Sequence, residues 1–191
     1  AVRAHVALGG DPDQAAALDN FCWPDPVASE STPDGAFKMA QLVRACEGLA
    51  DTCTAYLTPL ISGKDSMKND ARMGERKVSI RPTLLISLMG IIPNADRALG
   101  TDFLHAGDDI LLVGRFEPRL GGSAVERVLA VEEDSCPEVD TAANRALYHA
   151  VHQAACEPLI QSCHDLSDGG LAVALAESAI GGRLGAQVRL A

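Results

Sequence analysis

The sequence has too few basic residues for a protein that binds a polyanion. Lysine and arginine together number 16, aspartate and glutamate number 26, and the formal net charge is −10. A chain with this excess of negative charge repels nucleic acids and anionic membrane surfaces. We therefore expect neither a nucleic-acid partner nor a membrane partner.

The sequence also lacks a hydrophobic run of the roughly 20 residues that a membrane-spanning helix needs. The apolar stretch 84–92 is interrupted by Ser87 and Gly90 and ends at Pro93. The first residues run into a helical pattern rather than into the basic and apolar segments of a secretory signal. These absences predict a cytoplasmic protein.

No two cysteines have the C-x-x-C spacing of a redox motif or of a common zinc site. A chain of 191 residues can bury a core without disulfide bonds. We expect reduced, mostly buried thiols, with zinc binding as the weaker alternative. The six cysteines are Cys22, Cys46, Cys53, Cys136, Cys156 and Cys163.

Helical and strand-like patterns alternate along the chain, which predicts an α/β fold with mixed sheets of the α+β kind. Amphipathic spacing indicates helices, and branched apolar runs indicate strands. Beyond an opening helix, the predicted helices are 37–56, with one face in the core, 140–156 and 171–180. The predicted strands are 59–62, 78–92, 109–114, 159–163 and 188–190. Two prolines predict a loop at 18–26, and polar residues predict a hairpin loop at 68–77.

Pro93 and Asn94 follow a strand-rich stretch and predict a hinge between two domains. We expect the first domain at residues 1–94 and the second at residues 95–191. The chain begins inside a helical pattern and ends in a strand-like one. We therefore expect both domains to be truncated parts of a longer protein.

The most informative segment is Cys163-His-Asp-Leu-Ser-Asp-Gly-Gly170, between a predicted strand and a predicted helix. Asp165 and Asp168 are hard oxygen ligands suited to Mg²⁺, and the two glycines let a phosphate approach backbone N–H groups. The alternative is an ordinary helix cap by Ser167 or Asp168, with His164 in a structural hydrogen bond. The residues alone leave both interpretations open.

A second polar segment, Gly63-Lys-Asp-Ser66, resembles the end of a P-loop. It fails that motif because Thr58 stands where a glycine is required and Asp65 follows the lysine directly. Its residues predict either the edge of a polar site or a solvated turn.

Two other features have two interpretations each. The loop 120–124 could bind an anion through backbone N–H groups, although such loops are more often flexible turns. His149 and His152 lie one helical turn apart and could bind a metal, although a surface or capping role is favoured.

Six segments occur in an order that resembles the phosphoribosylformylglycinamidine synthases, the purine-biosynthesis amidotransferases of the aminoimidazole ribonucleotide synthetase superfamily. They are 18–24, 61–69, 82–87, 107–114, 120–123 and 164–177. The resemblance covers nearly the whole chain. It points to the second half of these enzymes, which carries the His-Asp-x-Ser-Asp-Gly-Gly motif present here.

The resemblance implies a tandem enzyme in which each half has an N-terminal α/β domain, whose sheet pairs into a barrel, and a C-terminal α/β domain. It implies an ATP-dependent C–N ligase acting on formylglycinamide ribonucleotide, with ammonia from glutamine displacing phosphate. The first half, which holds the catalytic histidine, and a glutaminase domain or subunit would be partners. Mg²⁺ and ATP or ADP are the implied cofactors, and no catalytic residue is expected in this segment.

Matched position by position, the resemblance implies a nucleotide contact by Asp19 and by Gly63, and a substrate contact by Ser66. Lys64 stands where the small-subunit form of the family has an asparagine that contacts magnesium. A contact from the lysine to phosphate is therefore implied there.

The same matching implies an auxiliary Mg²⁺-nucleotide site near the second domain's glycine pair. Asp165 corresponds to a magnesium ligand, with Asp168 as a further candidate ligand. Ser167 corresponds to a nucleotide contact. We expect this chain to position nucleotide and to show no turnover alone.

Two alternative functions remain. One is a non-catalytic scaffold that completes the barrel interface, and the other is a related ATP-dependent synthetase or kinase of the superfamily. Segments 18–24 and 63–69 argue against the second alternative. An exposed barrel-forming sheet would also allow the chain to form a homodimer.

Overall fold

A computed structural model of the protein describes residues 1–117, 119–130 and 136–189. The chain contains both helices and sheets, which confirms the α/β fold. The helices are α1 (Val2–Ala7), α2 (Gly35–Tyr56), α3 (Ala124–Leu129), α4 (Thr141–Cys156) and α5 (Gly170–Gly182). The strands are β1 (Ala15–Cys22), β2 (Leu60–Ser66), β3 (Asp70–Met73), β4 (Arg76–Ser79) and β5 (Thr83–Gly90). A search of the described residues finds no helix that could cross a membrane.

The chain divides into two compact units. The first contains residues 13–91 together with Ala1, and the second contains residues 2–12 and 92–191. The N-terminal segment lies in the second unit because α1 packs against α4, and because the Leu99 N–H donates to the Leu8 carbonyl at 3.1 Å.

The first unit contains a three-stranded sheet in the order β2-β1-β5. The central strand β1 runs parallel to β2 and antiparallel to β5. Strands β3 and β4 pair separately as an antiparallel hairpin. The segment 68–77, predicted as a hairpin loop, therefore contains most of a hairpin of its own.

The prediction of a loop at 18–26 is wrong for residues 18–22, which lie in β1. Every residue of β1 pairs with a residue of β5, and Leu18–Cys22 also pair with β2. These partners are distant in sequence and supply hydrogen bonds on both sides of the strand, which local composition cannot reveal. The strand ends before Pro24, as proline requires.

Helix α2 confirms the predicted helix, but the predicted core face is wrong. Met39 and Val43 are 41% and 47% exposed, whereas Lys38 is only 8% exposed. The Lys38 ammonium lies 3.0 Å from the Asp34 carboxylate and donates to the Ser79 hydroxyl at 3.2 Å. Burial of the lysine is possible because Asp34 balances its charge and two of its three N–H donors have partners.

A largely buried carboxylate, that of Asp70 with 11% of its side chain exposed, joins the β3–β4 hairpin to the loop that follows β1. The Asp70 carboxylate accepts the Asp25 N–H at 3.0 Å and lies 3.3 Å from the Lys77 ammonium. Lys77 also donates to the Thr32 hydroxyl at 2.6 Å. These contacts fix the hairpin against the loop through charge-assisted hydrogen bonds.

The second unit contains α1, α3, α4 and α5, and three strands predicted in it are wrong. Residues 109–114, 159–163 and 188–189 are irregular, and Leu190 lies outside the described residues. Leu111 is 77% exposed, so the run 109–114 is not buried either. Strands need hydrogen-bonded neighbours, and none pairs with these segments within the described part of the chain.

Helix α5 confirms the helix predicted at 171–180 and extends through Gly181 and Gly182. A β-carbon at Gly182 would collide with the Phe103 backbone, and one at Gly181 would collide with the Asp102 carboxylate. The Phe103 N–H donates to the Ser178 carbonyl of α5 at 3.1 Å. The glycine pair therefore allows a chain segment to lie directly against the helix.

Candidate functional site

The predicted nucleotide contacts Asp19 and Gly63 lie side by side on neighbouring strands. They are paired residues in the parallel ladder between β1 and β2. A β-carbon at position 63 would collide with the Asp19 carboxylate. Glycine is therefore the residue that lets this carboxylate lie over the adjacent strand.

A cavity of about 220 Å³ lies at these two strands and β5. Its lining includes Asn20, Ser62, Lys64 and Ser87, which share one face of the sheet because side chains alternate along a strand. Asp19 also borders the cavity, but its carboxylate lies over Gly63 on the opposite face. The face that carries Lys64 thus presents one ammonium group, an amide and two hydroxyls. Groups of this kind bind a polar ligand that carries both anionic oxygens and hydrogen-bond donors.

The thiol of Cys53 lies close enough to Asp19 to interact with its charge. Burial raises the pKa of the Cys53 thiol, and the negative charge of Asp19 raises it further. Both effects favour the protonated thiol, so Cys53 adds no negative charge beside the carboxylate. Nothing in the sequence pattern had associated these two residues.

Ser66, the predicted substrate contact, is the last residue of β2. Its carbonyl accepts the Trp23 N–H at 2.8 Å and the Asn69 side-chain amide at 3.0 Å. These bonds fix the backbone at the end of the strand, two residues beyond Lys64. The structure therefore places Asp19, Gly63, Lys64 and Ser66 in one local region of the first unit.

The second predicted site is the loop 164–170, and both ring nitrogens of its first residue, His164, have hydrogen-bond partners. His164 Nδ1 lies 2.8 Å from the Asp165 carbonyl, and Nε2 lies 2.9 Å from the Glu177 carboxylate. Because both ring nitrogens have partners, His164 holds the loop against α5 and is not available to a metal. This contact confirms the structural hydrogen bond in the alternative interpretation.

Within the described part of the chain, the ionic neighbours of Asp165 are distant. Its side chain is 19% exposed and lies 3.9 Å from both Arg3 Nε and His164 Nδ1. At these distances neither neighbour makes a good hydrogen bond, so the carboxylate keeps capacity to accept another ligand. Burial raises the pKa of the neighbouring Cys163 thiol, and the charge of Asp165 raises it further.

A single carboxylate fits Mg²⁺ only when the ligand supplies further oxygens. Among the described residues, no group of three or more histidine, cysteine, aspartate or glutamate residues could hold an ion. Mg²⁺ commonly uses one or two carboxylates together with phosphate oxygens. Asp165 fits that mode and does not form a metal site from protein ligands alone.

The helix cap proposed as the alternative for Ser167 or Asp168 is wrong. Gly169 is the N-cap of α5 in a left-handed conformation, and within the described residues no side chain caps this helix end. Ser167 instead accepts the Gly170 N–H through its carbonyl at 3.0 Å. Backbone N–H groups at the start of α5 thus remain without side-chain caps, as an anion site requires.

The prediction of mostly buried cysteines is also wrong. Cys46, Cys136 and Cys156 are exposed, and the other three are intermediate. All six are free thiols, as predicted.

Comparison with known proteins shows which proteins this chain is similar to. Residues 105–191 match the family described as AIR synthase related protein, C-terminal domain. The phosphoribosylformylglycinamidine synthase subunit PurL of Parasynechococcus marenigrum is 35% identical over the whole chain, which covers 25% of that subunit. The chain is thus similar to PurL over its whole length, and its residues 105–191 are similar to the AIR synthase-related C-terminal domain.

Two further PurL subunits are also similar in sequence to this chain. That of Alkaliphilus metalliredigens is 34% identical over the whole chain and 24% of its own length. That of Rhodospirillum rubrum is 37% identical over 80% of this chain and 21% of its own length. The resemblance to phosphoribosylformylglycinamidine synthases is confirmed, and the chain spans about a quarter of the curated PurL relatives it matches.

Proposed function

We propose that this chain forms part of an ATP-dependent phosphoribosylformylglycinamidine synthase. The whole enzyme would convert formylglycinamide ribonucleotide, glutamine-derived ammonia and ATP to the amidine, ADP and phosphate. The observation that carries the proposal is the packing of the Asp19 carboxylate over Gly63, on the strand that also carries Lys64, in a chain similar to PurL throughout.

In the first unit we assign nucleotide contacts to Asp19 and Gly63, a phosphate contact to Lys64 and a substrate contact to Ser66. An ammonium group attracts phosphate oxygens as a point charge. The Asp19 carboxylate can accept hydrogen bonds from the hydroxyl or amino groups of a nucleotide. The missing β-carbon at position 63 leaves room for that carboxylate over the strand backbone.

In the second unit we assign an auxiliary Mg²⁺-nucleotide site. Asp165 would hold the ion together with phosphate oxygens, and Ser167 would contact the nucleotide. Asp168 is exposed on the same loop and is a further candidate ligand. Bound Mg²⁺ would neutralise part of the phosphate charge, and the N–H groups at the start of α5 would orient the phosphates.

The second-unit assignment is tested by calorimetric titration of Mg·ADP into the whole chain. We expect Asp165→Asn to weaken binding at least about tenfold, because it removes a charged ligand oxygen. Asp108→Asn is the matched control, since Asp108 is an exposed aspartate of the same unit, 3.4 Å from His105. Equal affinity in Asp165→Asn and Asp108→Asn would contradict the assignment.

The first-unit assignment is tested separately by titration of Mg·ATP into variants at β2. Lys64→Met should lower affinity about tenfold if the ammonium contacts phosphate. Lys68→Met is the control, because this exposed lysine lies 3.8 Å from Asp25 and carries the same charge. An equal loss of affinity in both variants that disappears at high salt would indicate only general electrostatic attraction.

A second candidate function is that of a scaffold, with the first half of the same synthase and a glutaminase domain or subunit as partners. It is favoured by the exposure of Leu85 and Met89 in β5, at 58% and 56%. Apolar side chains on an open sheet indicate a surface that another chain covers. The same surface could instead pair two copies of this chain.

Sedimentation and activity assays separate these roles. We expect the isolated chain to self-associate and Leu85→Asp to make it monomeric, whereas the exposed-helix variant Val43→Asp should not. A monomer at high concentration would contradict the homodimer. Amidine formation from ammonia, ATP and substrate by this chain alone would contradict the expectation that it lacks a catalytic residue.

A further inference from the structure

A cysteine and a histidine form a pair at the end of α4, outside both sites described above. Cys156 is the last residue of α4, and its Sγ lies 3.7 Å from His152 Nε2, one helical turn earlier. Cys156 is exposed, whereas His152 is partly buried. This is the arrangement of a nucleophile beside a base.

A backbone carbonyl orients the histidine. His152 Nδ1 lies 3.2 Å from the Gly9 carbonyl oxygen. A carbonyl can only accept a hydrogen bond, so Nδ1 carries the proton and donates it. In the neutral ring Nε2 is then an acceptor, and it faces the thiol of Cys156.

Cys156 borders a cavity that a cationic residue also lines. Cys156 and Arg97 both line this cavity of about 230 Å³. Arg97 donates to the Cys156 carbonyl at 3.4 Å. The C-terminal end of a helix disfavours negative charge, and the guanidinium group offsets that effect for a thiolate and for an anionic ligand.

We propose that Cys156 is a thiol-modification site for low-molecular-weight disulfides that carry carboxylates. His152 Nε2 takes the Cys156 proton, and the thiolate attacks one sulfur of the disulfide. A new S–S bond forms to Cys156 while the original S–S bond breaks, and the second half leaves as a thiolate that is then protonated. Arg97 binds a carboxylate of the incoming disulfide.

The test compares thiol reaction rates in the whole chain. Ellman's reagent and glutathione disulfide both carry carboxylates, and peptide mass mapping identifies the cysteine that reacts. We expect Cys156 to react at least about tenfold faster than Cys46, which is also exposed. Cys156→Ser should remove the fast phase.

Variants at His152 show whether this residue accepts the Cys156 proton or only supports the local structure. His152→Asn keeps a donor near the Gly9 carbonyl and removes the Nε2 acceptor, so the rate should fall about tenfold. His149→Gln on the same helix is the matched control and should leave the rate unchanged. Circular dichroism of each variant shows whether the helices remain formed.

Arg97→Gln distinguishes the class of disulfide. It should slow Ellman's reagent by several-fold and leave the uncharged reagent 4,4′-dithiodipyridine unaffected. The proposal is overturned if Cys156 reacts no faster than Cys46, or if folded His152→Asn reacts at the original rate. Equal slowing of both reagents by Arg97→Gln would exclude carboxylate recognition.

Discussion

The two units differ in how their apolar runs are used. In the first unit, β5 pairs along its whole length with β1. In the second, the run 109–114 is equally apolar, yet it is irregular and its Leu111 is largely exposed. The difference shows that an apolar run can form a strand, but that it does so only where another strand pairs with it.

Amide hydrogen exchange provides the sharpest test of this comparison. The amides of β1 should exchange at least about a thousandfold more slowly than those of residues 110–113, because ladder hydrogen bonds must open first. Similar protection in both segments would mean that 109–114 has a strand partner in solution. That result would remove the contrast between the units.

Alanine substitutions at the two glycines that end α5 test how tightly the second unit is packed. Gly182→Ala should destabilise the chain by about 1–3 kcal/mol, because its β-carbon meets the Phe103 backbone, which cannot move cheaply. Gly181→Ala meets only the exposed Asp102 side chain, which can rotate away. Urea unfolding followed by circular dichroism should rank Gly181→Ala as the more stable variant.

Asp70 tests whether charge also holds the first unit together. Burial alone would raise the pKa of this carboxyl, but it is lowered overall by hydrogen bonds from Ser79, the Asp25 N–H and Lys77, and by the charge of Lys77. Asp70→Asn should therefore cost about 1–3 kcal/mol at neutral pH.

The sign of the pH dependence follows from that lowered pKa. The carboxylate stabilises the folded state above the unfolded pKa of about 4, and this contribution is lost as pH falls through the lower folded value. The free-energy difference between the original chain and Asp70→Asn should shrink in acid. Fluorescence of Trp23, the single tryptophan, measures unfolding of this unit; a constant difference across pH would contradict the prediction.

The smallest expected effect concerns a position without neighbours. A β-carbon at Gly48, within α2, meets nothing within 4 Å among the described residues. Gly48→Ala should stabilise the first unit by about 0.5–1 kcal/mol, since alanine restricts the unfolded chain and favours helix. A destabilised Gly48→Ala variant, measured by the same fluorescence, would show that another surface covers this face of α2.

Helices could be predicted from the sequence because their hydrogen bonds are local. The spacing of apolar residues placed α2, α4 and α5 to within a few residues. Strand β1 was missed because its partners lie 40 or more residues away. Burial of Lys38 was missed because Ser79, which accepts its hydrogen bond, lies on a distant strand.

The candidate sites divide in the same way. The loop 164–170 is contiguous, so its residues were identified from the sequence together. Asp19 and Gly63 are 44 positions apart, and only the family resemblance associated them before the ladder between β1 and β2 placed them side by side. Spacing along the chain carries no information about a contact made across a sheet.

The position of β1 at the centre of its sheet has a consequence for synthesis. It is the first strand of the sheet to be translated, and both neighbours follow the 22-residue helix α2. At about 5–20 residues per second, β1 waits several seconds before residue 90 is added and the sheet can close. During that interval α2 can form by local contacts alone, so the nascent chain acquires its helix before its sheet.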